Sequence, residues 1–213
     1  MKKIILTLLA TALIAGNIYA QDDAMDSRDR LTLGVKAGVN YSNVYDAQGQ
    51  DFVANPKLGF ACGAFLTIPI GKYLGVQPEV LFSQKGFQAT GSIIGSSYNL
   101  TRTTDYLDIP ILFALKPSEF LTLLAGPQFS YLLKQTDVFA NESTSIQQET
   151  VFENDNVRKN TFCITGGFDI NIGRVVFGAR VGWDVMDNNG NGTSTTPRYK
   201  NVWYQGTLGI RLF

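Results

Sequence analysis

Apolar and polar residues alternate with a period of two along most of the chain, and this alternation predicts β-strands. Beyond the first 20 residues, no segment shows the spacing of an amphipathic helix of useful length. The alternating segments give eight predicted strands: 31–41, 57–68, 73–86, 105–115, 120–134, 158–171, 174–186 and 200–212. The pattern therefore predicts an all-β protein.

The connections between the predicted strands alternate in length. Short segments rich in turn-forming residues follow the second, fourth and sixth strands: PIGK (69–72), KPSE (116–119) and NIG (171–173). Long polar segments follow the first, third, fifth and seventh strands, among them GFQATGSIIGSSYNLTRTT (86–104) and TDVFANESTSIQQETVFENDN (136–156). This strict alternation predicts an eight-stranded antiparallel up-and-down transmembrane β-barrel with short periplasmic turns and long extracellular loops.

The two faces of each predicted strand differ in the same way. In LGVKAGVNYSN (33–43) one face is fully apolar, and the other alternates glycine with Lys36 and Asn40. The apolar face continues in later strands as Leu58, Phe60, Ala64, Leu66 and Ile68; Leu107, Ile109, Ile111, Phe113 and Leu115; and Val175, Phe177, Ala179, Val181, Trp183 and Val185. The polar face continues as Gly59, Gly63, Gln77, Glu79, Asp108, Gly126, Gln128, Gly167, Asp169, Gly178, Arg180, Gly182, Asp184, Gly209 and Arg211. The interior of an eight-stranded barrel is only wide enough for side chains to fill, so we expect the polar face inside and the apolar face against lipid.

Lys36 shows what such an interior requires. An unpaired buried charge is very costly, so the inward charges should balance. Four inward carboxylates are candidate partners of Lys36: Glu79, Asp108, Asp169 and Asp184. We expect Gly34 and Gly38 to clear the space around the lysine. The inward charges are then interpreted as a structural ion-pair network that plugs the barrel, rather than as an acid–base pair.

Alternation alone does not say which face is inside, because a soluble barrel of the lipocalin type has the opposite arrangement. The polar face carries few charges and many glycines, whereas a water-exposed surface carries more charge. The apolar face ends in aromatic residues of the kind that form interfacial girdles: Tyr41, Phe82, Phe129, Tyr131, Trp183 and Tyr204. The predicted strands also reach the roughly 9 to 11 residues that a tilted spanning strand needs. These features favour the membrane barrel.

The N-terminus has the layout of a secretory signal peptide. MKKIILTLLATALIAGNIYA (1–20) has a basic start, an apolar run and a small residue at its end. The apolar run is shorter than the roughly 20 residues of a transmembrane helix. We therefore expect a signal peptide over 1–20, a short periplasmic N-terminal segment over 21–30 and an outer-membrane β-barrel domain over 31–213.

Composition narrows the functional classes. The chain has 18 Lys plus Arg and 18 Asp plus Glu, so no basic field attracts nucleic acid. Histidine is absent, which excludes histidine-dependent acyl transfer or hydrolysis. Carboxylate or Ser/Lys schemes lack a compact motif here. The sequence therefore assigns no catalytic residue, no cofactor-binding residue and no cofactor, and it predicts a protein that is not an enzyme.

One loop partly matches a calcium-binding pattern. DNNGNG (187–192) places Asp187, Asn189, Asn191 and Gly192 at the first, third, fifth and sixth positions. The twelfth position, where an EF-hand has a bidentate glutamate, is Arg198. A flexible loop tip is the favoured interpretation, and no metal ligand is assigned.

The two cysteines are predicted to stay unbridged. The alternation places Cys62 on the outer face and Cys163 on the inner face. Their strands lie on opposite sides of an eight-stranded ring, beyond the Cα separation of about 7 Å that a disulfide tolerates.

Several segments together resemble the PorT-like outer-membrane β-barrel family of Bacteroides-group Gram-negative bacteria. They are LGVKAGVNYSNV, GVQPEVLFSQKG, YLDIPILFALKP, AGPQFSYLL and the closing GTLGIRLF, and their order and spacing match across nearly the whole mature chain. The resemblance implies a small barrel in the outer membrane, inserted by the barrel-insertion machinery and surrounded by lipid. Most members lack a defined biochemical activity, and one is associated with protein secretion.

Two kinds of function follow. The first is a small non-enzymatic outer-membrane barrel with a structural, adhesion, secretion or envelope-assembly role, whose loops or periplasmic rim contact an extracellular or secretion-complex partner. The second is a narrow pore or a periplasmic lipocalin-like carrier of an apolar ligand. Membrane fractionation separates the carrier from the barrel, and bilayer conductance separates a pore from a plugged barrel.

Overall fold

The computed structural model describes residues 27–48, 53–93, 96–141, 144–150, 158–188 and 198–212. The predicted signal peptide and residues 21–26 of the predicted N-terminal segment lie outside these ranges. No helix in the described part of the chain is long and apolar enough to cross a membrane.

The described residues form one short 3-10 turn, Ser27–Asp29, followed by nine strands. The strands are β1 (Thr32–Gln48), β2 (Val53–Pro69), β3 (Leu74–Ile93), β4 (Ser96–Leu115), β5 (Leu121–Asn141), β6 (Thr144–Thr150), β7 (Asn160–Ile172), β8 (Val175–Asp184) and β9 (Arg198–Arg211).

Eight of these strands close into an antiparallel barrel. Each strand pairs with its neighbour in the order β4-β3-β2-β1-β9-β8-β7-β5, and β4 pairs with β5 to complete the ring. The remaining strand, β6, folds back on the outer half of β5 from Gln135 to Asn141. The predicted eight-stranded barrel is confirmed. The connections β2–β3, β4–β5 and β7–β8 are short, as predicted, and define what we term the turn end of the barrel.

At the opposite end, which we term the hairpin end, the strands are longer than predicted. The sequence assigned 86–104 to a loop, but β3 and β4 remain paired from Gly86 and Thr103 out to Ile93 and Ser96. The segment 136–156, also assigned to a loop, continues β5 and forms β6 over its described residues. Polar residues there do not exclude a strand, because strand formation depends on structural context, and threonine is among the residues enriched in strands.

A β-bulge changes the inward face of β5. The pairing with β4 shifts between Asp105, which faces Lys134, and Tyr106, which faces Leu132. Even-numbered residues of β5 are buried up to Leu132, whereas Gln135 and Asp137 are buried beyond the shift. Because the bulge adds one residue to β5, the side chains of Gln135 and Asp137 face the interior.

The apolar face lies outside, as predicted. Large apolar side chains are exposed around the ring, and Val39 is 57% and Phe113 is 67% exposed. Tyr41 and Tyr204 are directly paired on adjacent strands, as expected for an interfacial girdle. The polar residues face inward, so the soluble lipocalin-like arrangement is wrong for this chain.

Candidate functional site in the barrel interior

The centre of the barrel holds a four-residue ion-pair network. Lys36 on β1 pairs with Glu79 on β3, which confirms one of the four predicted partners. Arg180 on β8 lies 2.8 Å from Asp169 on β7 and 3.9 Å from Glu79. The Gln77 side chain donates a 2.8 Å hydrogen bond to the same glutamate. Two cations and two carboxylates thus neutralise each other in a site closed to solvent, as burial of charge requires.

Glycines on neighbouring strands make room for these side chains. Lys36 is paired across the sheet with Gly63 on one side and Gly209 on the other. The prediction that Gly34 and Gly38 clear space around Lys36 is wrong. A Cβ at Gly34 would overlap the Phe65 ring, and one at Gly38 would overlap the backbone of β9. The reason is geometric, since the nearest side chains on one sheet face belong to directly paired residues of adjacent strands.

A second ion pair lies closer to the hairpin end. The Lys85 ammonium is 3.0 Å from an Asp108 carboxylate oxygen. It also lies 3.6 Å from the ring centre of Trp203 and 4.9 Å from that of Tyr106, which are cation–π contacts. Lys85 is only 1% exposed. Neither Lys85 nor Trp203 is among the predicted interior residues, although the alternation through Gln77 and Glu79 places Lys85 on the same inward face.

The remaining predicted carboxylate, Asp184, belongs to a polar cluster beside this pair. Asp184 accepts hydrogen bonds from the Asn201 amide side chain and backbone. It also accepts one from the Cys163 thiol at 3.1 Å, and Cys163 lies 3.3 Å from the Ser130 hydroxyl. Cys163 is buried and Cys62 is exposed on the outer face, and both are free, as the alternation predicted.

Arg102 closes the interior at the hairpin end. Its guanidinium donates two 2.7 Å hydrogen bonds to Asp137 on β5 and one of 3.0 Å to the Tyr199 hydroxyl on β9. The Tyr199 ring packs edge-on against Phe87 at 5.2 Å. Both residues belong to a small buried apolar cluster with Val44 and Ala89. This closure is not predicted from the sequence, because Arg102 and Asp137 lie in segments whose polarity predicts loops.

The turn end carries a mixed-charge pocket. The Lys116 ammonium donates a 2.8 Å hydrogen bond to the backbone carbonyl of Arg28. The Arg28 guanidinium lies 5.3 Å from the ring centre of Tyr73. These contacts hold the N-terminal 3-10 turn against the mouth of the barrel.

Four cationic side chains of the described interior, Lys36, Lys85, Arg102 and Arg180, thus each contact a carboxylate. Among the described residues, no group of three or more His, Cys, Asp or Glu side chains is placed to hold a metal ion. Of the predicted calcium-like loop, only Asp187 and Asn188 are described, and Asn189, Asn191 and Gly192 lie outside the described residues. The Asp187 carboxylate is 4.0 Å from the Lys200 ammonium.

Two solved structures of one outer-membrane protein show the same fold. The attachment invasion locus protein Ail of Yersinia pestis superposes with a TM-score of 0.50 at 12% identity, over 84% of this chain and 97% of Ail. Ail in complex with the heparin analogue sucrose octasulfate gives 0.51 at 13% identity, over 85% and 99%. Neisserial surface protein A gives 0.47 at 8% identity, over 84% and 96%.

A search of curated proteins found no match to the sequence. The family described as "Outer membrane protein beta-barrel domain" matches residues 19–188, which is most of the chain. The protein is therefore located in the cell outer membrane, with its apolar outer face against lipid. In barrels of this kind the short turns face the periplasm and the long hairpins face outward. The chain belongs to the outer membrane protein β-barrel domain family.

Proposed function

We propose that this protein is a small, non-enzymatic and non-conducting outer-membrane barrel that presents its extracellular hairpins to a partner outside the cell. One observation carries the proposal: matched charges fill the interior from Asp169 and Arg180, through Lys85 and Asp108, to Arg102. An ion channel through the barrel would require these ion pairs to separate. Breaking a buried pair typically costs about 3 to 5 kcal/mol, so the filled interior is the stable state.

The hairpins supply the surface for contact. β3 and β4 extend to Ile93 and Ser96, well past the exposed apolar residues of the same strands. Gln88 and Asn99 point outward there and are exposed. The backbone of this polar wall is already paired, so less order is lost when a partner binds it than when a partner binds an unpaired loop.

The likeness to Ail supports an adhesive role by analogy of fold. Ail is described as an attachment invasion locus protein, and its structure has the same architecture at 12% identity. The PorT-like resemblance of the sequence offers a different partner, a secretion or envelope-assembly complex. Either role would use the rims of the barrel, with the filled interior as their support.

Planar-bilayer recordings test whether the interior is closed. We expect the purified protein to give no stable conductance steps. The matched variant replaces Lys36, Glu79, Asp169 and Arg180 together by alanine, which removes two cations and two carboxylates and leaves no charge unmatched. Because the Lys85–Asp108 and Arg102–Asp137 pairs still close the barrel towards the hairpin end, this variant should also stay closed, and ions should leak only when those two pairs are replaced by alanine as well. Steady channel events from the unaltered protein would show a narrow pore and contradict the proposal.

Trimming one hairpin tests the adhesive surface. Phe87 and Arg102 are directly paired, so replacing 88–101 by an Asn-Gly turn keeps the register of β3 and β4. Cells displaying the trimmed protein should attach less to immobilised heparin, an analogue of which is bound in one structure of Ail, than cells displaying the intact one. Equal attachment, with equal amounts of both proteins at the surface, would exclude this hairpin as the contact surface.

A further inference from the structure

One strand edge is open in the wall at the hairpin end. β6 (Thr144–Thr150) pairs with β5 through all seven of its residues. Because β4 pairs with the other side of β5 along this stretch, β6 lies on the side of β5 where β7 pairs nearer the membrane. The next position round the ring belongs to β8, which ends at Asp184. Among the described residues, β5 is the one strand that pairs with β6, and the second edge of β6 faces the position above β8.

The second edge of β6 lacks the features that protect natural strand edges. Such edges are commonly blunted by lysine, proline or a β-bulge. The sequence of β6, TSIQQET, contains no lysine or proline, and its pairing with β5 runs without a register shift. The backbone N–H and C=O groups on this edge are therefore suited to pairing with a further strand.

Orientation in the membrane argues against a second copy of the chain as that further strand. Copies of one barrel cross the outer membrane in the same direction, so β6 points the same way in neighbouring copies. Two β6 strands side by side would then pair in parallel, which is less stable per residue than antiparallel pairing. A segment of an extracellular protein can instead approach in the antiparallel direction.

The charge of β6 narrows the partner further. Glu149 is the only ionisable residue of this strand, so a basic residue in the added segment is complementary to it. We propose that the open edge of β6 binds an extended, basic segment of an extracellular protein by antiparallel strand addition. In this mode of recognition, main-chain hydrogen bonds supply the affinity. This binding mode rests on the proposed function, because it assigns a kind of partner to one of the extracellular hairpins.

A labelled peptide tests the open edge directly. Fluorescence anisotropy follows binding of the peptide KTVTVTK to the full protein in maltoside detergent, and we expect saturable binding. The same peptide with all its central amides N-methylated has no N–H donors there, so its affinity should be lower by about tenfold or more. The peptide ETVTVTE should bind more weakly than KTVTVTK, because its glutamates are repelled by Glu149.

Variants at two consecutive positions of β6 locate the binding. Consecutive backbone N–H groups of a strand point to opposite edges, so either Gln147→Pro or Gln148→Pro removes a donor from the open edge. At least one of these variants should lose about tenfold or more in affinity for KTVTVTK. Gln147→Thr and Gln148→Thr are the matched controls and should bind as the parent does, because threonine keeps the N–H and favours strands. Gel mobility before and after heating shows whether each barrel is folded.

Three results would overturn strand addition at β6: no saturable binding of KTVTVTK, equal binding of the N-methylated peptide, or full binding by both proline variants. A dimer of the unaltered protein that both proline variants lose would identify a second copy as the added strand, and would also overturn it. The heparin attachment assay trims β3 and β4 and leaves β6 in place, so the two experiments fail separately. Attachment without peptide binding contradicts only strand addition, and peptide binding without attachment contradicts only the proposed adhesive surface.

Discussion

In a narrow barrel interior, a bulky side chain fits where the residues paired with it on the adjacent strands are small. Lys36 is paired with Gly63 and Gly209, and Trp203 is paired with Gly182. In the second case the fit is tight, because a Cβ on Gly182 would overlap the indole ring of Trp203. The indole in turn lies against the Lys85 ammonium, so the glycine fixes the geometry of a buried charge.

We expect Gly182→Ala to destabilise the barrel by about 1 to 3 kcal/mol, the usual cost of overpacking a filled interior. The added methyl group pushes the Trp203 indole away from Lys85. Gly206→Ala is the control, since a Cβ at Gly206 meets no atom within 4 Å and this residue is exposed. Urea titration followed by tryptophan fluorescence compares the two variants. Equal stability of both would show that Trp203 repacks without cost.

Residue-level predictions from the sequence succeed where the alternation is unbroken. Alternation and charge balance place Lys36 inside with four candidate partners, and the structure pairs it with one of them, Glu79. Alternation does not place Asp137 inside. The bulge in β5 lies before this residue and changes the inward-facing positions from even-numbered to odd-numbered residues. The contact between Lys85 and Trp203 depends on how β3 and β9 are staggered across the ring, and no local pattern encodes that stagger.

The extracellular hairpins are extensions of the barrel wall. Threonine, glutamine and asparagine in β3, β4 and β5 are compatible with a loop or a strand, so polarity alone led to the loop assignment. Tertiary contacts favour the strand conformation in these segments. Arg102 joins Asp137 on the adjacent strand to Tyr199 on the far wall, and thereby ties three extensions together.

Arg102→Met should loosen the β3–β4 hairpin while the membrane-spanning ring stays folded. Hydrogen bonds to charged groups contribute roughly 1.5 to 3 kcal/mol each, so the free energy of local opening should fall by at least that amount. Amide exchange over 88–101 should then accelerate about tenfold or more. Tyr199→Phe, which removes only the hydroxyl acceptor, should cause a smaller change. Unaltered exchange in Arg102→Met would mean that backbone pairing alone holds the hairpin.

The ring as a whole is closed by backbone pairing between β4 and β5 and by pairing between β1 and β9, the first and last strands. The fully buried groups in the middle of the barrel, such as Lys85, Asp108 and Cys163, are therefore protected by the same closed ring. Residues on one wall cannot reach solvent until a pair of neighbouring strands separates, since a closed barrel has no free edge. The interior network and the membrane-facing surface should consequently unfold together.

Cys163 reports on this cooperativity. Its side chain is 0% exposed and its thiol lies between Asp184 and Ser130, whereas Cys62 lies on the lipid-facing surface. In a Cys62→Ala variant, we expect maleimide to modify Cys163 only as fast as the barrel unfolds, and completely in denaturant. Reaction of the folded protein at the denatured rate would show that solvent reaches the interior, against the closed-barrel proposal.

In the unaltered chain both thiols should react in denaturant without reductant, and resistance of both would reveal a disulfide and refute their assignment to opposite faces of the wall.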